Sequence, residues 1–289
     1  MKVKIILILV LMAAVSAVKA QAPFQSRPTA YTVDNKTFEF ALFAPSRYGF
    51  CKNTEVFSSV LADWKLPNIG IKRLWYVKPE KRDNGFFRSR RIYFGTLHNF
   101  DLPKMFFEAV QDKKPKLIAD TCVVPNVLTM KNEMRVTMLL KNKTSCDAGN
   151  FLLTVRAGLK NSFKLSKDAT MPPVNKALWY RETVVCLDTI VWFVGADLDI
   201  HFNDRLNILV DADFYSVDWG VKAWSGENKV FLYGYCGQNR RILAQAGFKV
   251  AYGTVFGDFK TLLLPMIDIS YFFVPRKSRD KGLFDKKMF

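Results

Sequence analysis

The chain has 289 residues and a formal net charge of +17, with 49% hydrophobic and 14% aromatic residues, Phe alone accounting for 25. Five cysteines are scattered, odd in number and without a CxxC pair, which argues against a disulfide framework or a cysteine zinc site. The excess of Lys and Arg points to anionic surroundings: lipopolysaccharide phosphates, a small anionic solute, or simply a solvated face.

The first 20 residues, MKVKIILILVLMAAVSAVKA, place Lys2 and Lys4 before an apolar run from Ile5 to Leu11 and small residues up to Ala20. That is the pattern of a secretory signal peptide cleaved after Ala20. The apolar run is shorter than the ~20 residues of a spanning helix, which weighs against a membrane anchor. Cleavage would leave 269 residues at +14, because Lys2, Lys4 and Lys19 leave with the signal. That length is long for one soluble β domain and ordinary for one barrel. Residues 21–36 carry two prolines and read as a flexible lead-in.

Strands begin at Phe38, where Phe38, Phe40 and Leu42 alternate with Glu39 and Ala41. Segments 72–77 and 86–94 flank KPEKRDNG, whose Asp83-Asn84-Gly85 run predicts a hairpin turn, since Asn and Gly tolerate positive φ. Arg88 and Arg90 share one face of the second arm. Residues 98–119 break the pattern and read as a short amphipathic helix or a long loop. Residues 122–140 read as one long strand or a broken pair. In 150–165, Phe151, Leu153, Val155, Leu159 and Phe163 alternate with Thr154, Arg156, Lys160 and Lys164, a two-residue repeat that predicts a strand. A loop at 166–179 is marked by Met171-Pro172-Pro173. Trp192, Val194, Leu198 and Ile200 then alternate with Asp197, Asp199 and His201. After a turn at Asn203-Asp204, Leu206, Ile208, Val210 and Phe214 alternate with Asp211 and Asp213. Segments 229–236 and 241–252 form another hairpin through GQNR, with Lys249 on the polar face. The last strand lies near 262–274 and carries Asp268 on its polar face. No composition break divides 37–274, which reads as one domain followed by a basic tail, 275–289.

The remaining question is which way the faces point. Apolar faces of about eight to ten residues suit the roughly 9–11 residues of a membrane strand, although alternation alone also fits a soluble sandwich. The export signal tilts the balance. So do aromatics near strand ends (Trp75, Tyr76, Trp179, Tyr180, Trp219, Trp224), where interface girdles belong. Gly158, Gly195 and Gly247 sit on polar faces, as a crowded interior requires. The expected fold is all-β: a single antiparallel transmembrane β-barrel of about 12 strands, within 10–14, at roughly 22 residues per strand and turn. Apolar faces would meet lipid. The interior would be lined by Glu39, Arg88, Arg90, Arg156, Lys160, Lys164, Asp197, Asp199, Asp211, Asp213, Lys249 and Asp268. Those are six cations and six carboxylates, able to pair across strands and fill the lumen.

The segments FEFALFAPSRYGF, PNIGIK, LLTVRAGLKNSFK, LNILVDADFY and KVAYGTVFG carry a resemblance. Through them, from Phe38 to Phe273, the chain resembles an uncharacterised family of outer-membrane β-barrels from Bacteroidota. The resemblance implies the barrel and its location, and brings no activity and no catalytic residues.

Chemistry-bearing motifs are sparse. His201 shares a strand face with Asp197 and Asp199, a conceivable carboxylate–histidine site whose much simpler reading is a hydrogen-bonded polar residue at a strand end. His98 with a serine such as Ser89 would be the minimum for a hydrolase. Asp211 and Asp213 form a close carboxylate pair for which Lys and Arg are simpler partners than an ion. There is no P-loop, GxSxG, HExxH or dinucleotide fingerprint, so no cofactor, no metal and no catalytic residue is expected. Export argues against a nucleic-acid partner. The first expectation is therefore a non-enzymatic outer-membrane barrel, a narrow or gated channel, transporter or structural element, in contact with lipid and lipopolysaccharide. The alternatives are a membrane-embedded enzyme acting on lipid or lipopolysaccharide, and a soluble secreted barrel or sandwich binding an apolar ligand.

Overall fold

The computed structural model describes residues 29–59, 67–78, 87–102, 104, 105, 108, 112, 123, 124, 126–142, 150–166, 174, 175, 184, 185, 190–202, 206–217, 224–236, 241–256 and 258–274. The expected signal, the basic tail, Trp179, Tyr180 and Trp219 lie outside these residues.

The strands are β1 (Phe38–Ala41), β2 (Ser46–Cys51), β3 (Thr54–Ser58), β4 (Asn68–Lys78), β5 (Phe87–Asp101), β6 (Val127–Asn142) and β7 (Asn150–Lys164), then β10 (Ile190–His201), β11 (Asn207–Val217), β12 (Trp224–Cys236), β13 (Ile242–Phe256) and β14 (Asp258–Phe273). These twelve close an antiparallel barrel, and β8 (Val174–Asn175) with β9 (Val184–Val185) forms a separate two-stranded ribbon. Sequence neighbours pair throughout, β7 pairs with β10, and β1 closes the seam against β14. The pairing is staggered. A path across the strands from Phe38 runs through Tyr48, Val56, Ile71, His98, Asn132, Leu159 and Trp192 to Ser216 and Trp224. The next residue, Ser225, pairs with Gly253 and that with Lys260, far along β14 from Phe273, where β1 pairs. Stagger of this kind means tilted strands.

The faces are inverted relative to a soluble barrel. Along β7, Leu152, Thr154, Arg156 and Lys160 are buried while Val155, Leu159 and Phe163 are exposed. On β11, Asp211 and Asp213 are buried, and Val210 and Phe214 are exposed. Because a single sheet closes on itself, the buried face is the interior and the exposed apolar face is the outer wall.

That outer wall carries two aromatic levels. At the end where β1 starts and β14 finishes, Phe38 stacks with Phe273 at 5.8 Å and Tyr271 meets Phe273 edge-on at 4.7 Å. At the opposite end a chain of rings crosses four strands, Trp192 to Phe214 at 5.7 Å, Phe214 to Trp224 at 5.9 Å, and Trp224 to Tyr252 at 6.1 Å. Tyr271 pairs with Ile242, ten residues before Tyr252 on β13. Ten residues rise about 33 Å along a strand, and a tilt near 40° reduces that to about 25 Å of height.

The two ends also differ in their connections. At the end bearing the first and last strand termini, the connections are residues 52–53, 79–86, 143–149, 202–206 and 237–241. The opposite end carries the long connections 102–126 and 165–189.

Several expectations are corrected. β2 and β3 did not stand out, because SRYGFC and TEVFS are too short to show a period. The break expected from His98 begins later: β5 runs on to Asp101, with Leu97 and Asn99 inward. Beyond it, Lys104, Met105, Glu108 and Asp112 have helical backbone, and Lys104 pairs with Glu108 one turn on at 3.7 Å. β6 is one continuous strand. The described part of the expected lead-in, residues 29–36, is not a free extension. Thr29, Ala30 and Val33 are buried, and Ala30 packs with Leu74, Tyr93, Leu139 and Leu152 inside the barrel. A turn at Asp34–Thr37, closed by the Thr37 amide donating to the Asp34 carbonyl at 3.0 Å and helped by Lys36 at φ 64°, then swings the chain out into β1.

Candidate functional site in the barrel interior

The interior holds a belt of ion pairs between two apolar layers. Arg156, 1% exposed, is the hub. Its Nε donates to Asp213 Oδ1 at 2.8 Å, its Nη2 to Asp211 Oδ1 at 2.5 Å, and its Nη1 to Asp197. The three carboxylates come from β10 and β11, and Arg156 reaches them across Gly195, its register partner. A Cβ on Gly195 would stand against Asp213 Oδ1 and within 2.8 Å of Arg156 Nε, so only glycine leaves room for the guanidinium. Lys229 extends the belt, with Nζ 3.5 Å from Asp211, 3.6 Å from Asp213 and 2.5 Å from Glu227. Glu227 also holds Lys249.

On β6, the strand neighbouring that of Arg156, Glu133 pairs with Lys131 at 2.7 Å and with Arg135 at 2.5 Å. Lys72 lies 3.3 Å from Glu55, and Arg47 bridges Glu55 to Glu39, donating from Nε at 2.5 Å. Near the seam, Asp268 accepts Gln245 Nε2 at 3.2 Å and the Phe43 amide at 2.8 Å, which ends the β1–β14 ladder on a side chain. Asp199 accepts the Tyr233 hydroxyl at 2.7 Å, and His201 Nε2 lies 3.4 Å from the same oxygen.

The N-terminal segment docks on this belt through its backbone. The Val33 amide donates to Glu55 Oε2 at 2.6 Å, the Ala30 amide to Thr137 Oγ1 at 2.8 Å, and Arg135 Nη1 reaches the Thr29 carbonyl at 3.5 Å. Gly49 and Gly95 make the approach possible: a Cβ on Gly49 would collide with the Asp34 carbonyl, and one on Gly95 would lie 3.3 Å from that of Ala30.

Apolar side chains cap the belt. Leu209, Phe231, Tyr233, Tyr235, Leu243, Met266 and Phe272 form one cluster, and Val191, Phe193 and Tyr215 another. Lys131 Nζ sits 4.8 Å over the Phe193 ring.

Of the residues singled out from sequence, Arg156, Asp197, Asp211 and Asp213 come together, and Lys249 joins them through Glu227 and Lys229. Glu39 and Asp268 sit on the β1 side, Asp199 in a separate pair with Tyr233, and Lys160 is buried on β7. Lys164 is only half-buried at its strand end. The side chains of Arg88 and Arg90 lie outside the described residues. Sequence reasoning missed Arg47, Glu55, Lys72, Lys131, Glu133, Arg135, Glu227 and Lys229. His98 points outward and shares a 2.7 Å hydrogen bond with Asn132, and the Ser89 side chain lies outside the described residues. Among the described residues no cluster of three or more His, Cys, Asp or Glu could hold a metal, and Cys51 and Cys236 are free. No helix among them is long and apolar enough to cross a membrane. No family model matches the chain, and no curated protein matches it.

Proposed function

We propose that this chain is an outer-membrane β-barrel, exported by its N-terminal signal and closed by its own interior, serving a structural or gated role and not that of an open pore. One observation carries the reading: an apolar outer wall bounded by two aromatic levels about 25 Å apart, the height of the apolar band in outer-membrane barrels. Short connections at the end bearing both strand termini and long ones at the other supply the usual asymmetry, with the short side facing the periplasm. The earlier resemblance to Bacteroidota barrels points the same way. A soluble barrel binding an apolar ligand would place its apolar faces inside, and the ion-pair belt occupies that position instead.

The closed role follows from the belt and the docked N-terminal segment together, since long paired side chains and a strand of backbone fill the same cross-section. The test is fractionation followed by planar-bilayer recording. The mature chain, beginning at Gln21, should be recovered from the outer-membrane fraction, migrate heat-modifiably on a gel, and show weak or no steady conductance. Folded protein in a detergent-free soluble fraction would overturn the location, and a large steady current would overturn the closed interior.

A further inference from the structure

The barrel wall is uneven in height. β1, β2 and β3 have 4, 6 and 5 residues, whereas β6 and β14 have 16. Five residues rise about 17 Å even untilted, less than the ~25 Å apolar band. β14 pairs with β1 only from Phe273 to Ser270, and the Leu42 amide bonding to the Ile269 carbonyl is the last rung. From there to Asp258, among the described residues, β14 has a strand on one side only. The wall has a notch between β14 and the low strands, toward the end with the long connections.

The sequence of β14 is built for that edge. The Phe272 amide bonds to the Arg241 carbonyl on β13, and the register runs unbroken from there to Lys260. Even-numbered residues of β14 therefore point their backbone groups at β13 and odd-numbered ones at the notch. Pro265 is odd-numbered. Its missing N–H falls at the centre of the free edge, where a proline costs no rung and denies one to any incoming strand. The inward face changes character at the same place. Elsewhere in the belt it carries charge, but Leu263, Leu264, Pro265, Met266 and Ile267 are apolar on both faces. Leu264 faces inward and is yet only half-buried. A strand apolar on both faces needs hydrocarbon on both.

We propose that the notch is a lateral lipid site, in which a hydrocarbon chain of the surrounding bilayer lies across the Pro265 edge and against the inward side of Leu264. This rests on the membrane reading above. A second strand is refused by Pro265, the segment carries no charge for a polar partner, and its lip, Leu263 and Ile267, is continuous with the exposed apolar wall.

The test places a diazirine-bearing aliphatic residue, close to leucine in shape, at position 263, 264 or 209 of the full chain. Each variant is folded into phosphatidylethanolamine–phosphatidylglycerol vesicles, checked by heat-modifiable migration, irradiated and analysed by mass spectrometry. Lipid adducts at 263 and 264, and their loss at the inward position 209, are expected. Adducts at 263 with none at 264, or at 264 only to peptides of this chain or of a second copy, would overturn the lateral site and leave the membrane reading standing. No lipid adduct at 263 would overturn both.

Discussion

Arg156 concentrates the interior electrostatics on one side chain. Three of its N–H groups fan to three different aspartates, a geometry that a lysine ammonium cannot reproduce. Removing one member of a buried pair leaves uncompensated charge and costs about 3–5 kcal/mol. Arg156→Ala should lower the unfolding free energy by about that amount, and Arg156→Lys by less, read from the urea midpoint of the heat-modifiable band in detergent micelles. Arg156 and its aspartates were legible in the sequence because their strands are long and alternate cleanly. Glu133 and its partners lie on an equally long strand, but MKNEMRV puts polar side chains on both faces, Asn132 outward beside Glu133 inward, and blurs the period. Glu227 lies two residues before the point where the sequence pattern of β12 becomes regular.

At the scale of elements, the direction of a strand face is the sharpest claim. Leu159 and Lys160 are adjacent on β7, one exposed and one buried. A lipid-soluble thiol probe should mark a cysteine at 159 and not at 160; Leu159→Arg, paired with Trp192 at the aromatic level, should cost about 0–1 kcal/mol, and Val155→Arg, four residues deeper on the same exposed face, about 2–4 kcal/mol. The reverse labelling would mean that the sheet is turned inside out. The docked N-terminal segment gives a second test. Gly49→Ala would drive a methyl group into the Asp34 carbonyl, so residues 29–34 should leave the wall and become cleavable by added protease, while the native segment resists. Nothing in the sequence foretold that docking: QAPFQSRPTAYTVDNK has no period, and what holds it is backbone amides meeting Thr137 and Glu55, partners remote in the chain. The far aromatic level was half legible. Trp224 stands near a strand end, but Trp192, Phe214 and Tyr252 become neighbours only through the stagger of β10 to β13.

For the whole molecule, charge is partitioned. The chain carries +17, yet among the described residues the interior buries ten carboxylates against eight Lys and Arg. Among the described residues the buried belt therefore carries none of the positive excess. Any residual current through the barrel should accordingly lack strong anion selectivity, as measured by reversal potential under a salt gradient, and Arg156→Ala combined with Lys160→Ala should raise its conductance. The docked segment also bears on how the barrel closes. Residues immediately upstream of β1 lie inside a ring whose last joint is β1 against β14, the longest loop the chain closes. Holding residues 29–36 inside therefore pins the start of β1 beside its partner strand, so the joint with the greatest sequence separation is made by a strand whose leader is fixed at Thr137 and Glu55.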